Sequence, residues 1–356
     1  MAGTFRVAQA TGLQYNSLLT TTREHLHKNG VLSDLVFESN PLLKKMKSSM
    51  FKESPAGGEV IRVNVMKGKN TAGGSYAGYE AVSVDPQDEF TIAYYPWVQY
   101  SFPTAISGIE KFKNGGDAKI QDLLMAQEKL TAMSFAEKIN QDLMEEGTAS
   151  GANAVTTGNS GKNIISIPMT VTKAGTESLG SIAASQSYWT NQTADGVATT
   201  GILLKKKMSN MYNSCGRGSG GFPDLLLGDQ VIWEVYEQSM QQQIRYSSSD
   251  LATAGFDSIK YKGADFIWDV YVPDMELPSE GVAVKGSALT AGSIFFLNSN
   301  SLKFYCGKGF DFKPLPFERN ADQDASVSLT LLYAQLVCDN RRKQGLLWGT
   351  STAVTA

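Results

Sequence analysis

Residues 59–66 alternate, with Ile61, Val63 and Val65 on one face and Arg62 and Asn64 on the other. This period of two marks a half-buried strand. A second strand region spans 89–102, with Phe90, Ile92 and Tyr94 on one face. Pro96 predicts an edge or a bend within it, because proline cannot donate to a ladder. Between the two lies 67–88, which carries Gly68, Gly73, Gly74 and Gly78 together with Lys67, Lys69, Tyr76 and Tyr79. A loop of about 20 residues between paired strands is unusual in a compact domain, where such loops are functional or mobile. The pattern predicts a long, protruding two-stranded arm.

The period changes to helical over 117–146. Ile120, Leu123, Leu124, Leu130, Ile139 and Leu143 recur at roughly helical spacing, and Lys119, Gln121, Asp122, Glu128 and Lys129 fill the other face. Asp117 can cap this helix and Gly147 ends it. At 1.5 Å per residue it would be a rod of about 45 Å, well beyond the usual globular helix.

Residues 147–163 are almost all Gly, Ala, Ser, Thr and Asn and read as an exposed loop. Ile164-Ile165-Ser166-Ile167 is strand-like. Residues 200–290 read as a separate α/β unit. It holds a helix from Gly201 to Asn213, a glycine loop at 216–221, a buried strand at 224–227 and a helix capped by Asp229 that runs to Gln243. A hairpin follows, with strands at 258–261 and 264–268 around Lys262-Gly263. Strands return at Leu302–Cys306 and Ser326–Tyr333, where Val327, Leu329 and Leu331 oppose Ser328 and Thr330. At the other end, 1–58 reads as an arm of short helices, among them Leu42–Met46, each too short to form a core alone.

Composition adds exclusions. The 356 residues carry a net charge of -3, which gives no reason to expect the tight, general nucleic-acid binding that needs a basic surface. Only two histidines offer acid–base chemistry near neutral pH, and His25 and His27 are two apart, not the i, i+4 of a shared metal site. Cys215, Cys306 and Cys338 fit neither a disulfide framework nor a zinc pattern and read as buried or half-buried thiols in a reducing cytosol. There is no leader-like N-terminus and no run approaching the ~18 apolar residues of a membrane span, so assembly in a cytoplasm without a membrane partner is expected.

Motifs that suggest chemistry are weak. Gly216-Arg217-Gly218-Ser219-Gly220-Gly221 departs from the dinucleotide fingerprint, since Pro223 stands where a helix should open, and reads better as a turn between a helix and a strand. Gly158–Asn163 has the wrong spacing for a P-loop. No pair of carboxylates is singled out, and Glu145-Glu146 is most simply a solvated helix end. The basic runs Lys205–Lys207 and Arg341–Lys343 read as solvated faces; the sharper alternative is an inter-subunit patch or a contact with DNA. No catalytic, cofactor-binding or metal-binding residue is assigned.

The order of these elements resembles the major capsid proteins of tailed bacteriophages with the Hong Kong 97-like fold. Short stretches carry the resemblance: Tyr94-Tyr95-Pro96-Trp97-Val98-Gln99-Tyr100, Trp189-Thr190-Asn191, Gly221-Phe222-Pro223-Asp224-Leu225-Leu226-Leu227, Gly255–Ala264, Phe295-Phe296-Leu297-Asn298 and Gln335–Gly345. The resemblance implies an α+β chain divided into an N-terminal arm (1–58), an extended β-hairpin loop (59–102), a peripheral domain (103–199) with a spine helix at 117–146, an axial domain (200–298) and returning peripheral strands (299–356). It implies a non-enzymatic virion subunit without cofactors. Such a subunit joins copies of itself as hexamers and pentamers into an icosahedral shell around double-stranded DNA, held non-specifically on the inner face. Contacts between subunits then fall to Arg62, Lys67, Lys69, Tyr76, Tyr79 and Glu80. Scaffolding, portal and decoration proteins are left open as further partners. Some members cross-link through a lysine and an asparagine, and Lys67, Lys69 and Asn70 lie in the corresponding loop, but no partner asparagine can be chosen. The same fold also serves cargo-enclosing nanocompartments. A hydrolase with an unrecognised site, and a tail or portal subunit, are weaker alternatives.

Overall fold

The computed structural model describes residues 41–46, 48, 52–70, 72–80, 88–113, 123–145, 148–149, 155–156, 161–175, 178–183, 186–195, 201–218, 220–239, 259–273, 291–319 and 324–351. Residues 1–40 of the expected arm at 1–58, the expected helix start at 117–122 and most of the expected loop at 147–163 lie outside these residues.

Along the chain come α1 (Pro41–Met46), β1 (Lys52–Glu53), β2 (Val60–Met66), β3 (Phe90–Pro96) and β4 (Val98–Ser107). Next are α2 (Gly108–Lys113), α3 (Leu123–Met144), β5 (Thr148–Ala149), β6 (Val155–Thr156), α4 (Ile167–Thr170) and β7 (Gln192–Asp195). Then follow α5 (Gly201–Cys215), β8 (Leu225–Gly228), α6 (Gln230–Gln238), β9 (Ile259–Tyr261) and β10 (Ala264–Trp268). The last elements are β11 (Ala291–Leu297), β12 (Leu302–Cys306), β13 (Lys313–Pro314), β14 (Glu318–Arg319), β15 (Ala325–Cys338) and β16 (Gly345–Ser351). The content is mixed α+β, as expected. Residues 40–100, 136–311 and 332–356 form one unit, and residues 101–135 and 312–331 belong to the other.

The larger unit is built on a six-stranded sheet of order β7-β16-β11-β8-β10-β9. β8 is buried along its whole length, which suits a near-continuous apolar run in a central strand covered on both faces. On one face α5 supplies Met208, Met211 and Cys215, and α6 supplies Ile232, Trp233 and Tyr236, against Leu226, Phe266, Ile294, Phe296 and Leu347 of the sheet. Gly345 makes this approach possible, since a Cβ there would stand 2.6 Å from Cys215 Sγ. α1 packs against β10, buries Leu42, Leu43 and Met46, and pairs Lys45 Nζ with Asp265 at 2.5 Å. The β9–β10 hairpin turns on Lys262 (φ 49°) and Gly263 (φ 94°), the two left-handed residues of a type I′ turn. The sheet takes strands from 192–195 and 345–351 as well as from 225–297. A second ladder in this unit pairs β12 with β1 in parallel and with 334–338 of β15 in antiparallel.

In the smaller unit β13 and β14 pair with 326–331 of β15. The Phe135 ring lies 4.5 Å from that of Phe102 and 4.8 Å from that of Phe312. α2 opens on a reciprocal cap: the Glu110 N–H donates to Ser107 Oγ, and the Ser107 N–H donates to Glu110 Oε2.

Several local expectations change. The inner stripe of α3 is Phe135, Ile139 and Leu143, while Leu130 is exposed. Five residues before Phe135, Leu130 falls well off an i, i+4, i+8 stripe. Ile164–Ser166 is not a strand. Ser166 caps α4 by accepting the Met169 N–H, and Pro168 sits in the first turn, where its missing N–H costs nothing. α6 ends at Gln238, short of the expected Gln243, and 240–243 lie outside the described residues. In β15, Ser328 faces inward, donating its hydroxyl to the Leu315 carbonyl, and Leu329 faces out.

Candidate functional site

β2 and β3 form a two-stranded antiparallel ribbon, in register from Val60 opposite Pro96 to Met66 opposite Phe90. Residues directly opposed in such a ladder share a face. One face carries Ile61 with Tyr95, Val63 with Ala93, and Val65 with Thr91, and it is anchored in the larger unit. Ile61, Val65, Ala93 and Tyr95 are buried. The Tyr95 hydroxyl donates to the Cys338 carbonyl at 2.7 Å, and the Tyr94 N–H donates to the Gly180 carbonyl at 2.9 Å. Pro96 ends β3, and its carbonyl accepts from Gln335 Nε2 at 2.9 Å.

The other face carries Arg62 with Tyr94, Asn64 with Ile92, and Met66 with Phe90. All of these are exposed or nearly so, with Met66 at 64% and Phe90 at 63%. Arg62 lies 5.8 Å from the centre of the Tyr94 ring, within cation–π range. Phe90, Ile92 and Tyr94 do share a face, as expected, but it is the outward one.

The ladder continues one step into the loop, where the Lys67 N–H donates to the Glu89 carbonyl at 2.8 Å and the Lys67 side chain pairs with Asp88. Further out, Asn70 Oδ1 accepts the Ala72 N–H, and Glu80 Oε2 accepts the Ala77 N–H at 2.9 Å. Gly78 holds a turn at φ 48°. Arg62, Lys67, Lys69, Tyr76, Tyr79 and Glu80 thus all sit on one hairpin. Lys67 and Glu80 help to shape it, Arg62 lies over Tyr94, and Lys69, Tyr76 and Tyr79 stand exposed. Met66, Phe90, Ile92 and Tyr94 were not among the expected contact residues. The signal was present, because β3 is apolar on both alternating sets of positions, and a strand apolar on both faces needs two covers.

The basic runs are solvated only in part: Lys206 and Arg342 are exposed, while the other members turn to acceptors of their own chain. Lys205 Nζ donates to the Ser239 carbonyl at 2.7 Å, and Lys207 Nζ donates to the Asp195 carbonyl at 2.8 Å. Arg341 is fully buried, with Nε donating to the Thr170 carbonyl at 2.9 Å and Nη2 lying 3.4 Å from Asn191 Oδ1. Lys343 is buried as well, its Nζ donating to the Arg217 and Gly218 carbonyls, and burial lowers its pKa. Asn298 Nδ2 donates to the carbonyls of Gly220, Gly221 and Phe222. The glycine loop therefore turns carbonyl oxygens toward donors of its own chain, the opposite of a phosphate cradle, which presents N–H groups. The three cysteines are free and buried, and burial pushes the Cys215 and Cys338 thiols up to about 12. Among the described residues no cluster of His, Cys, Asp or Glu could hold a metal ion, and no helix is long and apolar enough to cross a membrane.

No family model matches the chain. No curated protein matches it either. Solved structures do. The capsid asymmetric unit of cyanophage A-1(L) superposes with a TM-score of 0.65 at 13% identity, over 90% of this chain and 95% of that one. The capsid of a native GTA particle gives 0.54 at 9% identity, over 90% and 95%. The holo-SrpI encapsulin complex from Synechococcus elongatus gives 0.53 at 11% identity, over 94% and 98%. The chain has the Hong Kong 97-like fold of phage capsid proteins, as its sequence resemblance implied. The same fold is found in an encapsulin, and the likeness spans nearly the whole of each chain.

Proposed function

We propose that the chain is the major capsid subunit of a tailed bacteriophage, which self-assembles as hexamers and pentamers into an icosahedral shell around double-stranded DNA. One observation carries the reading: a capsid fold that covers 90% of the chain belongs to a molecule whose hairpin is apolar on an uncovered face. Large exposed apolar patches mark interaction surfaces. Many weak contacts, each repeated around a closed shell, act together. In this reading the ribbon and its loop are the extended loop that reaches a neighbour through Arg62, Lys67, Lys69, Tyr76, Tyr79 and Glu80. α3 is the spine helix, the six-stranded sheet with α5 and α6 is the core of the axial domain, and 1–58 is the N-terminal arm. The role is structural, without catalysis or cofactor. Assembly takes place in a host bacterial cytoplasm, and the finished location is the virion. Scaffolding, portal and decoration proteins are the further partners this role offers.

The encapsulin neighbour favours a second reading, a shell that encloses protein cargo. Electron microscopy of the purified full-length chain, expressed alone and with candidate scaffolding proteins, tests both. Closed particles of uniform size are expected. Small oligomers under every condition would refute a shell role, and the contents of the particles, DNA or protein, separate the two readings.

A further inference from the structure

We infer that an exposed strip along α5 binds the phosphate backbone of double-stranded DNA. The inference rests on the shell reading above for the identity of the polyanion, and it assigns the contact to particular residues. Lys206, Asn210 and Asn213 on α5 and Arg217 on the turn after it are all exposed. Steps of four, three and four residues bring them onto one side of the helix. None of these four side chains has a hydrogen-bond or ion-pair partner among the described residues. Lys262 stands beside the strip, exposed, and its Nζ donates to the neutral Ser209 hydroxyl at 2.6 Å. The net charge of -3 is an average, since residues 201–217 contain three lysines, one arginine and no acidic residue. Lys205 and Lys207 turn aside to the Ser239 and Asp195 carbonyls, so of that run only Lys206 belongs to the strip. The opposite side of α5 is fixed in the core by Met208, Met211 and Cys215.

The chemistry of the strip favours phosphate over protein. Protein interfaces centre on apolar and aromatic side chains and are poor in lysine, and the strip has no apolar member. Lysine, arginine and asparagine are common donors to DNA phosphates, in contacts that read no sequence. Lys206 and Asn213 are about 10 Å apart along the helix axis, a length over which one strand of a duplex presents about three phosphates. The neighbouring carboxylates do not occupy the strip. Asp224, near Tyr212, accepts the Ser299 N–H and hydroxyl. Glu234 and Glu237 stand on α6, and the lysine that reaches α6 is Lys205, not Lys206. Three cations per copy make a weak contact, which repetition around a shell multiplies.

Binding of the full chain, before assembly, to a short fluorescent duplex of mixed sequence tests the assignment. Lys206, Arg217 and Lys262 together predict a slope of log K against log salt of about -2.7, or roughly 40-fold weaker binding at 200 mM than at 50 mM salt. The double variant Lys206→Ala/Arg217→Ala should reduce the slope to about -0.9, with an unchanged circular dichroism spectrum. The charge-matched control Lys162→Ala/Lys308→Ala removes two exposed lysines outside the strip and should keep the parent slope. No binding by the parent chain at low salt would overturn the inference, as would an unchanged slope in the double variant. An equal loss in the control would overturn it too, because a diffuse field and not the strip would then be responsible. Polyglutamate that displaces the duplex at equal charge would reassign the strip to an acidic protein surface. Particle formation is read separately by electron microscopy. Particles without duplex binding would leave the shell reading standing and remove the strip, and duplex binding without particles would do the reverse.

Discussion

The six-stranded sheet and the β2–β3 ribbon handle the same material differently. In the sheet, α5 and α6 cover one face, α1 packs against β10, and Leu226, Phe266, Ile294 and Phe296 are sealed inside their own chain. In the ribbon, Tyr95 and Val65 are sealed in the same way, but Phe90, Ile92 and Met66 look outward. A two-stranded ribbon is marginal by itself, so its anchored face sets where it stands and its outward face remains available. The difference teaches that apolar content alone does not mark a core. What matters is whether the chain supplies a cover.

Substitutions in the two regions should therefore separate stability from assembly. The largest loss of stability is expected for Phe266→Ala. Phe266 is completely buried between the helices and β8, and its ring stacks edge-on to Tyr236 at 5.4 Å. Removing it leaves a cavity, at about 3–5 kcal/mol, seen as a lower denaturant midpoint of the full chain. Arg341→Met should follow at about 1–3 kcal/mol, because it leaves the buried Thr170 carbonyl without the Arg341 donor. A solvated arginine, as the sequence suggested, would change the midpoint hardly at all.

That second case shows what was legible in the sequence and what was not. β2, α5, β12 and the Lys262-Gly263 hairpin could be read because each depends on local periodicity or turn chemistry. Arg341 and Lys343 could not, because their burial depends on partners 171 and 126 residues away in the chain, the Thr170 and Arg217 carbonyls. β7 and β16 join their sheet through pairings just as distant, which no local pattern encodes. In the ribbon the alternation showed which residues share a face but not which face is covered. Covering depends on Gly180, Cys338 and Gln335, far along the chain.

A smaller effect follows from the sealed thiols. Cys338 is wholly buried, and burial first, with Asp339 adding to it, pushes its pKa from 9.0 up to about 12. Below pH 9 the thiol is protonated in both folded and unfolded chains, so stability is unaffected. Above pH 9 the unfolded chain loses this proton and the folded chain keeps it. Stability then falls as pH rises, by up to about 1.4 kcal/mol per pH unit, until the folded thiol also ionises. Unfolding midpoints measured between pH 9 and 10 should show this slope, and Cys338→Ala should flatten it relative to the parent chain. An equal slope in both would mean that the thiol is not sealed.

The smallest change in stability should come from the outward face of the ribbon, and it sharpens the comparison most. Ile92→Thr keeps a β-branched side chain in the ladder opposite Asn64 and removes apolar surface from a residue that the single chain leaves 39% exposed. The midpoint of the dissociated chain should move by no more than about 0.5 kcal/mol. Particle yield should nevertheless fall, because the copy that would cover Ile92 loses apolar contact that only the assembly provides. The paired control is Val65→Thr on the anchored face of the adjacent strand, which is equally β-branched but buried. It places a hydroxyl inside and should lower the midpoint of the single chain first. If Ile92→Thr instead lowered the midpoint as much as Val65→Thr and left yield per folded chain unchanged, the outward face would belong to the fold of one molecule and not to a neighbour.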